Sequence, residues 1–352
     1  MSLAVSDVLR SRFEEHITPH GVTPEQVLAQ VDDVFGEPLL VVATGSVLAG
    51  FGRPSSDVDV YVVVPEEVAS TLPLMSYQGS ARFDVSLFGA GTLTERHRQM
   101  ALPWPPPDPS PSGYARRRRS LDSLSRFGLG LPLATDGGRW QEWQRQVDTE
   151  TGAWLGSWHA VEATRRQAAA RMLLPVKPRV AAHKASEALI AALDRRAVLA
   201  GERYFRWKFI GEKMRRLGDE QGHAWAWHAL CLPPAAADCA DYVRRTDEIV
   251  TELLADVDTT GWRWRPQLAA GAARHDFGAE ALLSRWGLRA VAMDPESPAA
   301  SGESWEYAVG EEWHPDVVGL FVEDMLWLGV AGPSGPTVAG STGAGAPDGG
   351  DR

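Results

Sequence analysis

Apolar residues along the first ninety positions follow two periods. In "PEQVLAQVDDVF" (24–35) they return at helical spacing behind Thr23, a good N-cap, so a helix is expected there. "EPLLVVAT", "SDVDVYVVV" and "ARFDVSLF" read as strands, with "SVLAGFG" a short helical turn between the first two. The small mixed sheet they form is expected to be finished by residue 90. From 115 to 256 the pattern is helical, through "RRRRSLDSLSRFG", the Trp-rich run 139–173, "VAAHKASEALIAALDRRAVLAG", "RYFRWKFIGEKMRRLG" and "CADYVRRTDEIVTELLADV". Gly201 and Gly218 stand where helices should stop. After 262 the segments shorten.

The expected fold is an α+β N-terminal domain (1–100) with a small mixed sheet and flanking helices. A Pro-rich linker follows (101–114, containing "LPWPPPDPSPS"), stiff and extended. Then come a mainly α-helical domain (115–256) that closes a cleft, a small C-terminal α+β appendage (257–331) and a disordered tail (332–352) with almost nothing to bury. No internal repeat is found.

Composition narrows the function. The formal net charge is −11, and a general nucleic-acid coat needs surplus Lys and Arg, so nucleic acid is an unlikely partner on this ground. Cys231 and Cys239 cannot make a disulfide framework, and "MSLAVSDVLRSRFEEHI" has no apolar stretch of leader length. No run approaches the roughly 18 apolar residues of a membrane helix. The expectation is a cytoplasmic protein with no membrane partner, and the Ala, Arg, Gly and Trp bias points to a bacterial source.

Candidate chemistry begins in the second strand. Residues i and i+2 share a strand face, so Asp57 and Asp59 project together while Val58, Val60 and Val62 face the core. Two carboxylates that close repel each other unless a cation lies between them, and hard oxygen ligands suit Mg²⁺. Upstream, Gly45 and Ser46 follow a strand and open a helical turn, which offers N–H groups and a hydroxyl to an anion. Ser55 and Ser56 make the turn into the second strand, where they can cap locally or touch the same anion.

"GSVLAGFGRPSSDVDV" resembles the signature of the DNA polymerase β-like nucleotidyltransferase superfamily, in which Gly-Ser and a spacer precede Asp-x-Asp among hydrophobic residues. The family's third carboxylate lies on a neighbouring strand, where "ARFDVSLF" offers Asp84. The resemblance spans about 45 of the 352 residues. It implies a two-metal nucleotidyl transfer in which Asp57 and Asp59 hold the nucleotide-bound Mg²⁺. Asp84 joins them at a second ion near the acceptor hydroxyl, and Mn²⁺ is a possible substitute. Two positions depart from the pattern: Ala49 stands where many small members carry Arg, and Phe51 where they carry a small hydroxyl residue. Arg53 is the candidate replacement for the missing phosphate contact, beside Gly45, Ser46 and Ser56. Further on, "GERYFRWKFIGEKM" resembles a Tyr-Tyr/Phe-x-x-Lys-Trp helix of several small nucleotidyltransferases, matching at Tyr204, Phe205 and Lys208 with the Lys-Trp order inverted. By that resemblance Tyr204 and Lys208 face the nucleotide and Lys208 reaches the triphosphate; Lys213, further along, is expected to contribute little.

Other marks are weighed against plainer readings. Arg116–Arg119 reads as a solvated helix start rather than an RNA contact, and Trp140, Trp143, Trp154 and Trp158 as interhelix anchors. The spacing of His223, His228, Cys231 and Cys239 matches no zinc pattern, and Trp225, Trp227 and Leu230 read as helix core between them. Glu187 competes with Asp84 as general base, although with His183 and Lys184 it also reads as ordinary surface charge. The expected reaction is transfer of NMP, most readily AMP from ATP, to a hydroxyl or phosphate of a small-molecule acceptor, with release of pyrophosphate. Modification of a tRNA or a protein side chain, and a non-catalytic nucleotide-binding module, stay as alternatives. The sequence leaves the oligomeric state open.

Overall fold

The computed structural model describes residues 3–69, 74–78, 80–135, 138–233, 235–278, 280–293, 305–309 and 311–333. The expected disordered tail lies outside them, apart from Gly332 and Pro333. The fold is mixed α+β, with a small mixed sheet, a large helical middle and small C-terminal sheets.

Helices α1 (Leu3–Ile17) and α2 (Pro24–Phe35) precede β1 (Leu40–Thr44). Thr23 caps α2 as expected: its hydroxyl accepts from Gln26 N while the Gln26 side chain accepts from Thr23 N. Next come β2 (Val58–Val64), β3 (Leu74–Gln78), β4 (Ala81–Gly89), α3 (Ala90–Met100), α4 (Pro111–Leu129) and β5 (Leu131–Thr135). Among the described residues these strands form one sheet in the order β3-β4-β2-β1-β5, with β2 and β4 parallel and the other neighbours antiparallel.

The sheet is therefore not finished by residue 90. Its edge strand β5 comes from beyond the Pro-rich segment. The run "LPLAT" carries Pro132, which argues against a central strand, but an edge strand tolerates the missing N–H. The Pro-rich segment itself is packed rather than a spacer. Ser110 caps α4 with Pro111 at its first position, so the helix begins inside the expected linker. Tyr114 Oη donates to Val330 O, Gly332 N donates to Pro106 O, and Trp104 stacks on Trp158 at 5.4 Å.

Both sheet faces are covered. Val41, Ala43, Val58, Val60 and Val62 pack with Phe13, Ile17 and Val27 from α1 and α2. The opposite face, where the acids were expected to look out, buries Tyr61 and Val63 against Leu121, Leu124 and Phe127 of α4. At its end Asp57 and Asp59 are partly exposed, and so are Asp84, Ser86 and Phe88 along β4.

Helices α5 (Arg139–Leu173), α6 (Pro178–Leu199), α7 (Ile210–Arg216), α8 (Glu220–Leu230) and α9 (Cys239–Leu253) form the middle. Trp140, Trp154 and Trp158 are buried, as their spacing predicted. Trp227 and Leu230 are exposed instead of core, and His228 Nε2 bonds the Thr246 hydroxyl at 3.0 Å. The helix expected from Tyr204 begins later: 203–206 has no regular secondary structure, Trp207–Phe209 makes a 3₁₀ turn, and α7 starts at Ile210. The C-terminal part holds β6 (Arg263–Leu268), β7 (Ala272–Phe277), β8 (Glu280–Arg285), β9 (Arg289–Met293), β10 (Tyr307–Ala308), α10 (Pro315–Val322) and β11 (Leu326–Ala331), in a β10-β6-β11 sheet and a β7-β8-β9 sheet. Among the described residues no helix is long and apolar enough to cross a membrane.

Two buried polar groups fix the helical middle. Lys213, expected to contribute little to nucleotide binding, is 1 % exposed and pairs with buried Asp194 at 2.7 Å. Removing one partner of a buried pair strands the other charge. Lys213→Met should cost about 3–5 kcal/mol in urea unfolding, and the double variant with Asp194→Leu should recover much of it. Additive losses in the double variant would show that the two groups are not coupled.

His159 lies beside Phe205 in the same region, and burial pushes its imidazole down to about 4. An unfolded imidazole titrates near ~6.5. Its contribution is therefore fully present above that value and is lost as pH falls towards 4, because the unfolded chain then binds the extra proton. His159→Gln should flatten the fall of melting temperature across that window. An unchanged slope would assign the pH dependence to other groups.

Candidate active site

The strand register assembles the acids. Asp59 stands opposite Asp84 across the parallel β2–β4 pair and opposite Thr44 across β1, and Asp57 lies two residues earlier, just before β2. Asp57 pairs with Arg82 Nε at 3.2 Å, and Asp59 pairs with Arg126 Nη1 of α4 at 2.8 Å. Asp84 makes no ion pair among the described residues. Burial pushes the Asp59 carboxyl above its usual value, opposed by Arg126, with the charge of Asp84 adding to the rise. Burial opposes the charge of Arg126, yet the Asp59 and Asp122 carboxylates hold it firmly charged.

Gly45 ends β1 with φ +91°, a conformation open to glycine. A Cβ there would lie 1.9 Å from Asp59 Oδ2, so the turn 46–50 starts directly against the carboxylate. That turn is closed by Ala49 N donating to Gly45 O and Phe51 N donating to Ser46 O. Beside it opens a cavity of about 540 Å³, lined among others by Thr44, Gly45, Arg126, Tyr204 and Arg216.

The two departures from the signature are packed from a distance. Phe51 stacks on Tyr204 at 5.5 Å and on Phe209 at 4.7 Å, and the Arg216 guanidinium lies 3.7 Å from its ring centroid. Arg216 Nη1 donates to Ala49 O at 2.9 Å, and Nη2 donates to Gly50 O. The 202–216 segment thereby closes over the Gly-Ser turn.

Of the sequence-derived candidates, the structure brings Gly45, Ser46, Asp57, Asp59, Asp84 and Tyr204 to one end of the sheet. Ser56 is engaged locally, its hydroxyl accepting from Arg53 N at 2.8 Å, and the Arg53 side chain is exposed on that turn. Lys208 sits exposed on the 3₁₀ turn with Nζ 4.9 Å from the Phe209 ring; neither it nor Asp57, Asp59 or Asp84 is among the residues that line the cavity. Glu187 also lies away from the cavity lining; burial opposes its charge, but Arg166 and Lys184 hold its carboxyl below the usual value. Arg117, read as part of a solvated basic run, donates to Gln99 O and Met100 O at the end of α3.

Arg12, Arg126, Arg203 and Arg216 line the cavity without belonging to any motif. Their signal is weak: each comes from a helix or loop distant in sequence from the acids, and no spacing links the four. The carboxylate oxygens suit Mg²⁺ as hard donors, and the Gly45 turn leaves them no bulky neighbour on its side. In the arrangement present, Arg126 and Arg82 meet that charge. Among the described residues no three carboxylate, imidazole or thiolate groups close into a metal cage.

Gly45→Ala should lower stability by about 1–3 kcal/mol through backbone strain and displacement of Asp59. Thermal unfolding of the purified variant checks this. A melting curve superimposed on wild type would mean the turn is not held against β2.

No protein-family model matches the chain, and no curated protein matches it. Among solved structures it is similar to a nucleotidyltransferase-like protein from Exiguobacterium sibiricum 255-15, with 13 % identity and a TM-score of 0.39 over 69 % of this chain and 82 % of that one. At that level of likeness, what the site does has to be argued from its own residues.

Proposed function

We propose that the chain is a Mg²⁺-dependent nucleotidyltransferase that moves NMP, most readily AMP from ATP, onto a hydroxyl or phosphate of a small-molecule acceptor. The observation that carries this reading is the register of Asp59 against Asp84, with Asp57 two residues before and a glycine-only turn packed on the same carboxylate. Asp57 and Asp59 would hold the ion that accompanies the nucleotide, and Asp84 a second one; the ions supply charge compensation at the phosphates.

The chain's own residues do the rest. The Gly45 turn offers backbone donors where a side chain would obstruct the phosphates. The acceptor oxygen attacks the α-phosphorus, the bond to the bridging oxygen of the β-phosphate breaks, and pyrophosphate leaves. Asp84, half-buried on β4 opposite Asp59, is the group assigned to receive the acceptor's proton, since the Glu187 carboxylate is engaged by Lys184 and Arg166 in the helical middle. Tyr204, with Phe51 stacked on it, gives the cavity an aromatic wall.

Titration calorimetry with ATP should show binding in Mg²⁺ that weakens strongly in chelator. Incubation with each labelled NTP and cell extract should put label on a metabolite; label on RNA or protein would favour a macromolecular acceptor. Asp84→Asn should keep most nucleotide affinity while turnover falls at least about a hundredfold, the scale of losing one preorganised electrostatic group. Metal-independent ATP binding would point to a non-catalytic module.

A further inference from the structure

The cavity beside the Gly45 turn is basic within an acidic protein. Arg12, Arg126, Arg203 and Arg216 line it against Asp148 and Glu202, whereas the whole chain carries −11. An occupant of this cavity should be anionic. Three of the arginines are anchored to the walls: Arg12 Nη1 donates to Leu48 O, Arg203 pairs with Asp148, and Arg216 donates to Ala49 and Gly50 carbonyls.

Arg126 is placed differently. Its partner is Asp59, an acid that the nucleotidyl-transfer reading gives to a metal ion. Its Nε is buried with no hydrogen-bond partner among the described residues. The nearby Asp122 carboxylate, 3.5 Å from that Nε, is already gripped by both Nη atoms of Arg206. The backbone of Arg126 is fixed, since the buried Thr44 hydroxyl donates to its carbonyl at 2.9 Å. The guanidinium can therefore change partner while its helix stays in place.

We infer that Arg126 binds the phosphate chain of the nucleotide, and that without ligand it holds Asp59 in place of the incoming cation. This rests on the nucleotidyl-transfer reading. Entry of a metal–nucleotide gives Asp59 a metal ion and Arg126 a phosphate oxygen, so neither buried charge is left alone. A planar guanidinium with several donors suits a polyphosphate better than a point cation does. The exchange also makes Arg126 a competitor of bare metal at Asp59, which separates this role from that of a structural ion pair.

The test uses the full chain, with Arg126→Met and Arg126→Lys. Calorimetry measures Mg²⁺-ATP and AMP binding, and electron paramagnetic resonance measures Mn²⁺ binding without nucleotide. Arg126→Met should weaken Mg²⁺-ATP at least about tenfold while AMP, which lacks the outer phosphates, changes little. It should also bind bare Mn²⁺ more tightly than wild type. Arg126→Lys should fall between the two for ATP. If Arg126→Met does not fold, Arg126→Lys decides alone, through a loss for ATP that AMP does not share. Equal losses for ATP and AMP, no loss, or unchanged or weaker Mn²⁺ binding in Arg126→Met would overturn the role of Arg126 while leaving nucleotidyl transfer standing. Failure of wild type to bind Mg²⁺-ATP would overturn both.

Discussion

A carboxylate at the end of a covered strand has to be met by positive charge, and in this chain Arg126 meets it. Asp59 lies where β2 leaves the core, with Tyr61 and Val63 buried immediately after it on the same face. Burial raises its carboxyl, so the ionised form depends on the guanidinium 2.8 Å away. That need ties α4 to the sheet: Leu121, Leu124 and Phe127 fill the space beneath, and Gly130 turns the chain into β5 beside β1. The helix that supplies the cation also brings the last strand.

The same economy of charge runs through the cleft. Asp122 is shared by Arg126 and Arg206, Asp148 takes Arg203, and Arg216 spans the Gly-Ser turn and Phe51. The 202–216 segment thus reaches the acids through a ladder of ion pairs and stacked rings rather than through a lysine on a continuous helix. Charged hydrogen bonds of this kind keep their geometry where the dielectric is low, so they hold this wall in place. Farther out, Lys213 and Asp194 lock α7 against α6, which fixes where Arg216 begins its reach.

What the sequence determined by itself was local. The two-residue period of β2 and β4 set the acids on one face, Thr23 and its capping box started α2, and a Gly-Ser turn after β1 placed glycine where a Cβ would strike Asp59. Each depends on residues within a few positions, and such patterns survive in a one-dimensional text. Tertiary structure decided the rest. Whether Pro132 sits in a strand depends on its being at an edge, and whether Lys213 is a surface charge or a buried ion depends on Asp194 from another helix. Lys208 matched a motif yet faces solvent, while Arg126 matched none and grips the central carboxylate. Partners of a buried charge are chosen by packing between distant segments, and sequence periodicity carries no record of that choice.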